Sequence, residues 1–184
     1  PCPLTTQGSF GPDRISQTDY DAASQVTQLK VAVGTADAAT ERTVTYTGNG
    51  KLQTLKDAEN NLTTYEYDGH DRLSKTRYPV TAKGANSSST TDFEQWTYDA
   101  NANATAFRTR ANETLNFTYD ALNRLTWKSG VPVTDVDYAY DNLNRLVSVA
   151  YTGNGQGTTN SYDPLSRLTS SSTNMSGVVR TAPY

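Results

Sequence analysis

The sequence is poor in the residues that most functional sites need. Cys2 is the only cysteine among 184 residues, so no intrachain disulfide and no cysteine-based metal cluster can form. His70 is the only histidine, so every catalytic arrangement that requires an imidazole would depend on it. Only 35% of the residues are hydrophobic, which is low for a globule with a thick core. A thin sheet fits this composition better.

Charge and hydropathy exclude two further classes of partner. The formal net charge is −3, so the chain has no excess of cations to neutralise phosphates, and nucleic-acid binding is not expected. No apolar run approaches the roughly 18 residues that a membrane-spanning helix needs, so no membrane span is expected. The N-terminal stretch also lacks the basic and apolar regions of a signal peptide.

Tyrosine is the dominant aromatic residue, with 12 copies, and seven of these open related phrases of the form Tyr-Asp-x-x-Asn-Arg-Leu. The phrases follow one another at intervals of 26, 21, 31, 21, 21 and 22 residues. A period near 21 is typical of a repeat architecture, so the phrase is interpreted as scaffold. The four clearest copies supply the repeat signature: Tyr67, Asp68, Arg72 and Leu73; Tyr119, Asp120, Asn123, Arg124 and Leu125; Tyr140, Asp141, Asn144, Arg145 and Leu146; Tyr162, Asp163, Arg167 and Leu168.

Each phrase is predicted to form a tight β-hairpin. A bulky apolar residue stands two positions before most of the repeat tyrosines, and this period of two is typical of a strand. The aspartate is expected to begin the turn by accepting backbone hydrogen bonds. Four residues after the tyrosine come Gly, Asp, Asn or Ser, mostly types that tolerate a left-handed backbone. Arginine and leucine then begin the return strand, and the arginine is expected to pair with its own aspartate or with one in the neighbouring repeat.

The repeats set the expected domain organisation. Residues 1–19 are interpreted as an irregular N-terminal segment or an incomplete repeat, and residues 20–184 as about seven two-strand units. Second turns are predicted at 57–61, 110–113 and 153–157, and a polar insertion near 83–92 is expected to be an exposed, mobile loop. Because Tyr184 falls where a further phrase would begin, the chain is expected to be part of a longer array.

No catalytic, cofactor or metal site is predicted, and the chain is not expected to be an enzyme. The position of His70 is held by Leu122 and Leu143 in other phrases, which indicates a variable turn residue. The repeated aspartates occupy similar local contexts, which favours turn capping over paired acid and base catalysis. Motifs for calcium binding are absent. The aromatic residues favour cross-strand ladders, with carbohydrate stacking at Trp96 and Trp127 as the alternative.

The phrases YDGHDRL, YDALNRL, YDNLNRL and YDPLSRL resemble the YD repeat of the rearrangement-hotspot (Rhs) protein family. The wider group includes shells of insecticidal toxin complexes, bacterial wall-associated proteins and animal teneurins. The resemblance implies an all-β fold of tandem antiparallel β-hairpins in a curved, spirally wound sheet. In bacterial members such a sheet is similar to a container that encloses a C-terminal toxin domain.

What the resemblance implies for this chain is a partial shell. About seven repeats make a ribbon of about 70 Å, too little to enclose a protein domain. The implied partners are the remaining repeats and a C-terminal cargo domain of a longer polypeptide, and the implied location is secreted or at the cell surface. Asp163 and Pro164 form the only Asp-Pro pair and lack the context of the family's autoprotease motif, so self-cleavage is not expected. The alternative function is a cell-surface adhesion or carbohydrate-binding repeat module.

Overall fold

The computed structural model describes residues 15–131 and 134–184, and within these every regular element is a β-strand. Cys2 and most of the predicted N-terminal segment lie outside the described residues. Strands adjacent in the chain are hydrogen-bonded neighbours and run antiparallel, in the order β1 to β15 without a crossover. The predicted all-β array of antiparallel hairpins is therefore confirmed.

The chain divides into two compact units, one ending at Glu94 and the other beginning at Gln95. The boundary falls inside β7, which therefore contributes residues to both units. The first unit contains β1 (Gln17–Tyr20), β2 (Val26–Val31), β3 (Ala39–Tyr46), β4 (Leu52–Asp57), β5 (Leu62–Tyr67), β6 (Leu73–Pro79) and the start of β7 (Ser88–Tyr98). The second contains the end of β7 and β8 (Ala104–Arg108), β9 (Thr114–Tyr119), β10 (Leu125–Gly130), β11 (Val136–Tyr140), β12 (Leu146–Tyr151), β13 (Gly157–Tyr162), β14 (Leu168–Met175) and β15 (Val178–Pro183).

Seven of the hairpins, here called YD hairpins, turn at a repeat phrase, and each carries a β-bulge. In the β9–β10 hairpin Tyr119 pairs with Leu125, but Thr118 pairs with Trp127, so Thr126 is an extra residue without a partner of its own. The same shift occurs beside the repeat tyrosine in the other six YD hairpins. A bulge increases the local twist and changes which side chains share a face.

The sheet has almost no enclosed interior among the described residues. Val44 is the only buried hydrophobic residue there, with 7% of its surface exposed. Most tyrosines and leucines of the repeat phrases are half-buried on one face of their hairpin. On the same face Val44 in β3 and Leu55 in β4 form a cross-strand pair. Trp96 stacks on Phe107 in the same way, with ring centres 4.1 Å apart. Cross-strand packing on one face therefore replaces a thick core, as the composition indicates.

Neighbouring YD hairpins are joined by short ladders that lie away from the repeat turns. β4 and β5 pair only between Thr54 and Lys56 on one strand and Leu62 and Thr64 on the other. The β8–β9 and β12–β13 ladders likewise contain three residue pairs each. Near the repeat turns the neighbouring strands are therefore not joined by backbone hydrogen bonds, and side chains must bridge them.

The polar insertion is exposed at residues 83–87, as predicted, but its extent differs from the prediction. The loop is shorter than expected because β7 begins at Ser88, inside the range 83–92. The remaining loop is tied down, since the N–H of Asn86 donates to the carbonyl of Asn60, 3.1 Å away. The insertion thus rests on the turn at 57–61 and extends a strand rather than forming a long free loop.

The second turns lie where they are predicted. The N–H of Asp57 donates to the carbonyl of Asn61 at 3.2 Å, and the N–H of Thr109 donates to that of Glu113 at 2.8 Å. The third turn is closed by a 2.7 Å bond from the N–H of Tyr151 to the carbonyl of Gln156. Asp57 also accepts the N–H of Asn61 with its carboxylate, at 2.8 Å. The turn at 57–61 therefore has the aspartate capping that the sequence predicts for the repeat phrases.

Candidate functional site

The turn of each YD hairpin, here called the YD turn, is built around its aspartate. Asp68 Oδ1 accepts the N–H groups of His70 and Arg72 at 2.9 and 3.0 Å. Asp68 Oδ2 accepts Arg72 Nε at 2.6 Å. The N–H of Asp68 donates to the carbonyl of Arg72 at 2.9 Å, and the N–H of Asp71 donates to that of Asp68 at 3.1 Å. One carboxylate thus organises a complete five-residue reversal.

The other signature phrases repeat this arrangement. Three further aspartates each receive Nε of the arginine four residues on, at distances of 2.6 to 2.7 Å. In the turn that begins at Asp99, where asparagine replaces arginine, Asn103 Nδ2 donates to the same carboxylate oxygen at 2.9 Å. Of the two predicted partners, its own aspartate or one in the neighbouring repeat, each arginine of the four signature phrases pairs with its own.

The position four residues after each repeat tyrosine has a left-handed backbone in all seven YD hairpins. Asp71, Asn123 and Asn144 have φ values of 59°, 60° and 63°, and Gly50 has 74°. Ser24, Ala102 and Ser166 share this conformation, with φ between 62° and 68°. The prediction of a left-handed residue is confirmed, and it holds even where the residue type does not favour it.

The arginine of one YD hairpin also contacts the next hairpin. Arg124 lies over the ring of Tyr140, with the guanidinium carbon 4.6 Å from the ring centre. Its Nη1 donates to the Asn144 side-chain oxygen at 2.8 Å and to the carbonyl of Asp141 at 3.4 Å. One guanidinium therefore bridges its own aspartate, the next tyrosine ring and the next YD turn.

Arg145 repeats this bridge to the following hairpin. It lies 4.7 Å from the ring centre of Tyr162 and donates to the carbonyl of Asp163 at 3.0 Å. The side chain of Arg145 is 20% exposed, whereas that of Arg167 is 74% exposed. In the described residues no following repeat tyrosine lies over Arg167. The next hairpin, rather than the arginine's own turn, therefore covers the guanidinium.

The hydroxyl of the repeat tyrosine forms a second bridge between hairpins. Tyr119 donates to the carbonyl of Ala104 at 2.9 Å, and Tyr67 donates to that of Leu52 at 2.8 Å. Tyr46 and Tyr162 make the equivalent bond to the preceding hairpin. In each case the accepting carbonyl belongs to the residue that pairs with the repeat tyrosine of the preceding hairpin, as Ala104 pairs with Tyr98. This carbonyl lies beyond the end of the backbone ladder that joins the two hairpins. The tyrosine thus satisfies a carbonyl that the sheet leaves unpaired.

The electrostatics of the YD turns favour ionised aspartates. The side chain of Arg124, by donating to its carboxylate, holds the pKa of Asp120 below the usual range. For Asp141 and Asp163 the largest cause of a lowered pKa is the backbone N–H four residues on. Burial of its ring raises the pKa of Tyr119, so its hydroxyl remains a hydrogen-bond donor. These shifts belong to structural hydrogen bonds rather than to a poised acid and base.

Among the clefts of the described residues, two lie between successive YD turns, one in each unit. The first, of about 360 Å³, is lined by residues of the turns that follow Tyr46 and Tyr67, including Asn49, Asp68 and Asp71. The second, of about 410 Å³, lies between the turns that follow Tyr98 and Tyr119. Asn49 Nδ2 donates to both carboxylate oxygens of Asp71, at 3.0 and 3.2 Å.

The remaining candidate residues do not converge on a site. His70 lies exposed in its YD turn, at the position where Leu122, Leu143 and Leu165 are 63%, 62% and 74% exposed. Among residues 15–131 and 134–184, no three His, Cys, Asp or Glu side chains are grouped closely enough to hold a metal ion. No helix that could span a membrane occurs in the part of the chain that the structure describes.

The two tryptophans lie on opposite faces of the sheet. Trp96 pairs with Phe107, which pairs with Leu115 in β9, whereas Trp127 pairs with Thr118. Because residues 115 and 118 point to opposite sides of β9, one row of aromatic side chains cannot contain both tryptophans. Both are half-buried, and carbohydrate binding by either of them stays a prediction.

Comparisons with known proteins agree with this geometry. No curated protein matches the sequence of this chain. The crystal structure of TcdB2-TccC3-Cdc42 is similar with a TM-score of 0.63 and 16% identity, over 84% of this chain and 9% of that chain. The structure of TcdB2-TccC3 without its hypervariable C-terminal region has a TM-score of 0.63 and 17% identity, with the same coverage.

A mutant of the Photorhabdus luminescens Tc holotoxin pore is similar with a TM-score of 0.60 and 17% identity, over 82% of this chain and 8% of that chain. This chain therefore spans less than a tenth of the solved chains to which it is compared, and the likeness establishes the fold. A family model, that of the teneurin YD-shell, matches residues 13–162. Because the match covers most of the chain and six of its seven YD turns, the chain belongs to the teneurin YD-shell family.

Proposed function

We propose that this chain is a non-enzymatic structural segment of a shell wall that encloses a C-terminal toxin or other cargo of a longer polypeptide. The observation that carries the proposal is the repeated bridge from Arg124 to Tyr140 and from Arg145 to Tyr162. Each bridge ties one hairpin to the next at the edge where the backbone ladder is missing. A barrier needs this continuity and needs no reactive side chain.

The wider setting supports the same function. The chain belongs to a shell family; one structure that it resembles is a Tc holotoxin pore, and another was solved without a hypervariable C-terminal region. The partners would be further repeats of the same wall and the enclosed domain. Such an assembly would act after secretion or at the cell surface.

The proposal is tested by protease protection of the longer polypeptide that contains this chain, its remaining repeats and the region that follows. The C-terminal region should resist a protease that digests the same region when it is isolated. A double variant, Arg124→Ala with Arg145→Ala, should open the wall and speed digestion, whereas Lys51→Ala serves as the control because Lys51 is exposed at the same position of its YD turn. Equal digestion of the enclosed and isolated regions would refute enclosure.

The alternative function, a surface adhesion or carbohydrate-binding module, gives a different result. Such a module would bind glycans through Trp96 or Trp127, and Trp96→Ala or Trp127→Ala would abolish binding on a glycan array. The stacking of Trp96 on Phe107 favours a structural role for this ring. Absence of glycan binding by the unaltered chain would eliminate the alternative without affecting the shell proposal.

A further inference from the structure

Both clefts occur where the repeat arginine is replaced. The position that holds Arg124 and Arg145 in their YD turns is occupied by Lys51 before the first cleft and by Asn103 before the second. Lys51 is exposed, and no ion pair or ring contact of its ammonium is recorded within residues 15–131 and 134–184. The clefts therefore lie at the sites that a guanidinium fills between other hairpins.

The sites that contain a repeat arginine show which groups of the next hairpin bind a guanidinium. Around Arg124 the next hairpin supplies the ring of Tyr140, the carbonyl of Asp141 and the side-chain oxygen of Asn144. A planar guanidinium stacks on the ring while its N–H groups point at the two oxygens. An ammonium on a lysine stem cannot reproduce this fork, since it is a compact charge with no flat face.

The first cleft presents the corresponding groups without the guanidinium. Tyr67, Asp68 and Asp71 hold the repeat positions of Tyr140, Asp141 and Asn144, and all three residues line the cleft. Asp71 is a stronger acceptor than asparagine because it is charged. Its two oxygens accept only Asn49 Nδ2 among the described side chains, so they retain lone pairs for further donors.

We propose that the cleft formed by Tyr67, Asp68 and Asp71 binds the guanidinium group of an arginine side chain presented by another polypeptide segment. The arginine would stack on Tyr67 and donate to Asp71, as Arg124 does to the hairpin after its own. The equivalence of Lys51 with Arg124 in the repeat and the volume of the cleft, about 360 Å³, support this assignment. It does not depend on enclosure of a cargo.

The second cleft provides an internal comparison. Its acceptor is the neutral Asn123, whose side-chain oxygen already receives Asn101 Nδ2 at 3.0 Å and Asn103 Nδ2 at 2.8 Å. A guanidinium there would have to displace both amides and would meet no carboxylate at this position. We expect the second cleft to bind the same probe much more weakly.

The test is a titration of the whole chain with Nα-acetyl-arginine methylamide, followed by two-dimensional NMR of backbone amides. Saturable shifts should appear at Tyr67, Asp68 and Asp71 and not around Asn123. The isosteric citrulline derivative, which lacks the charge, should bind about tenfold more weakly, and the lysine derivative should also bind less tightly.

Two variants that make the cleft resemble the corresponding sites of other repeats should abolish or weaken this binding while keeping the fold. Lys51→Arg should fill the cleft from within, and Asp71→Asn should weaken binding about tenfold by removing the charged acceptor. Lys51→Ala is the matched control and should leave binding intact. Equal shifts with the citrulline derivative, or full binding by the Lys51→Arg variant, would overturn the proposal.

Discussion

Arg124 lies with its guanidinium carbon 4.6 Å from the ring centre of Tyr140, on the neighbouring YD hairpin. The two residues are 16 positions apart, and no backbone ladder connects their hairpins at this edge. The contact therefore provides cohesion where the sheet itself provides none. Its contribution can be isolated, because the chain contains an equivalent arginine that makes no such contact.

Replacing Arg124 with lysine should destabilise the second unit by about 1 kcal/mol, because lysine loses both the ring stacking and the forked hydrogen bonds. Arg167→Lys is the matched control: it retains an aspartate partner, but its side chain is 74% exposed, so we expect little change. Chemical denaturation followed by circular dichroism measures both. Equal losses in the two variants would show that the arginine acts only within its own turn.

Replacing Tyr119 with phenylalanine should cost about 1 kcal/mol, because the carbonyl of Ala104 loses its only recorded side-chain donor. Tyr151→Phe is the control, since this ring is 37% exposed and no hydrogen bond of its hydroxyl is recorded in the described residues. Thermal melts of the two variants provide the comparison. A Tyr119→Phe melt that coincides with the Tyr151→Phe melt would contradict a bridging role for the hydroxyl.

Replacing Gly130 with alanine should destabilise the fold by about 2 kcal/mol or more. An added Cβ would lie 2.0 Å from the carbonyl oxygen of Thr114 on the neighbouring strand, so the β9–β10 pairing would have to shift. Gly69→Ala is the control, because nothing lies within 4 Å of its added Cβ. Hydrogen exchange of the β9 and β10 amides should accelerate in Gly130→Ala alone. Unchanged exchange in that variant would refute the close strand approach.

Stability should fall in acid because of the YD aspartates. The pKa values of Asp120, Asp141 and Asp163 are lowered in the folded chain. Their contribution to folding stability is therefore fully present above the pKa of an unfolded aspartate, about 4, and is lost as the pH falls through the lower pKa values of the folded chain. Denaturation midpoints at pH 6, 4 and 3 should decrease in this order. A triple variant with Asp120, Asp141 and Asp163 changed to asparagine should show a flatter dependence. An equally steep dependence in the variant would assign the acid sensitivity to other groups.

The YD turn could be derived from the sequence because its interactions are local. Asp68 binds N–H groups two and four residues onward, and Asp71 is of a type that tolerates φ near 60°. Both features depend only on side-chain chemistry within one phrase. The same reasoning predicts an aspartate partner for the arginine but leaves open whether it is its own or that of the neighbouring repeat, and the structure shows its own.

The bulge was not predicted, although the sequence contains a sign of it. Leu52 and Leu55 are three positions apart and both share a face with the repeat tyrosine, whereas an unbroken strand would place alternate residues there. Leu146 and Val149 show the same interval. Applied to β10, this interval explains why Trp127 lies on the face opposite to Trp96.

The sequence by itself determined the repeat, the hairpins and their turns, because these depend on hydrogen bonds that close within about five residues. Only the tertiary structure decided where each arginine lies, since Arg124 meets a ring in the next hairpin and Lys51 leaves its cleft open. Those outcomes depend on the separation of neighbouring hairpins and on residues about 20 positions away. Local patterns cannot report such distances, so the bridges and the cleft appear only once the hairpins are packed side by side.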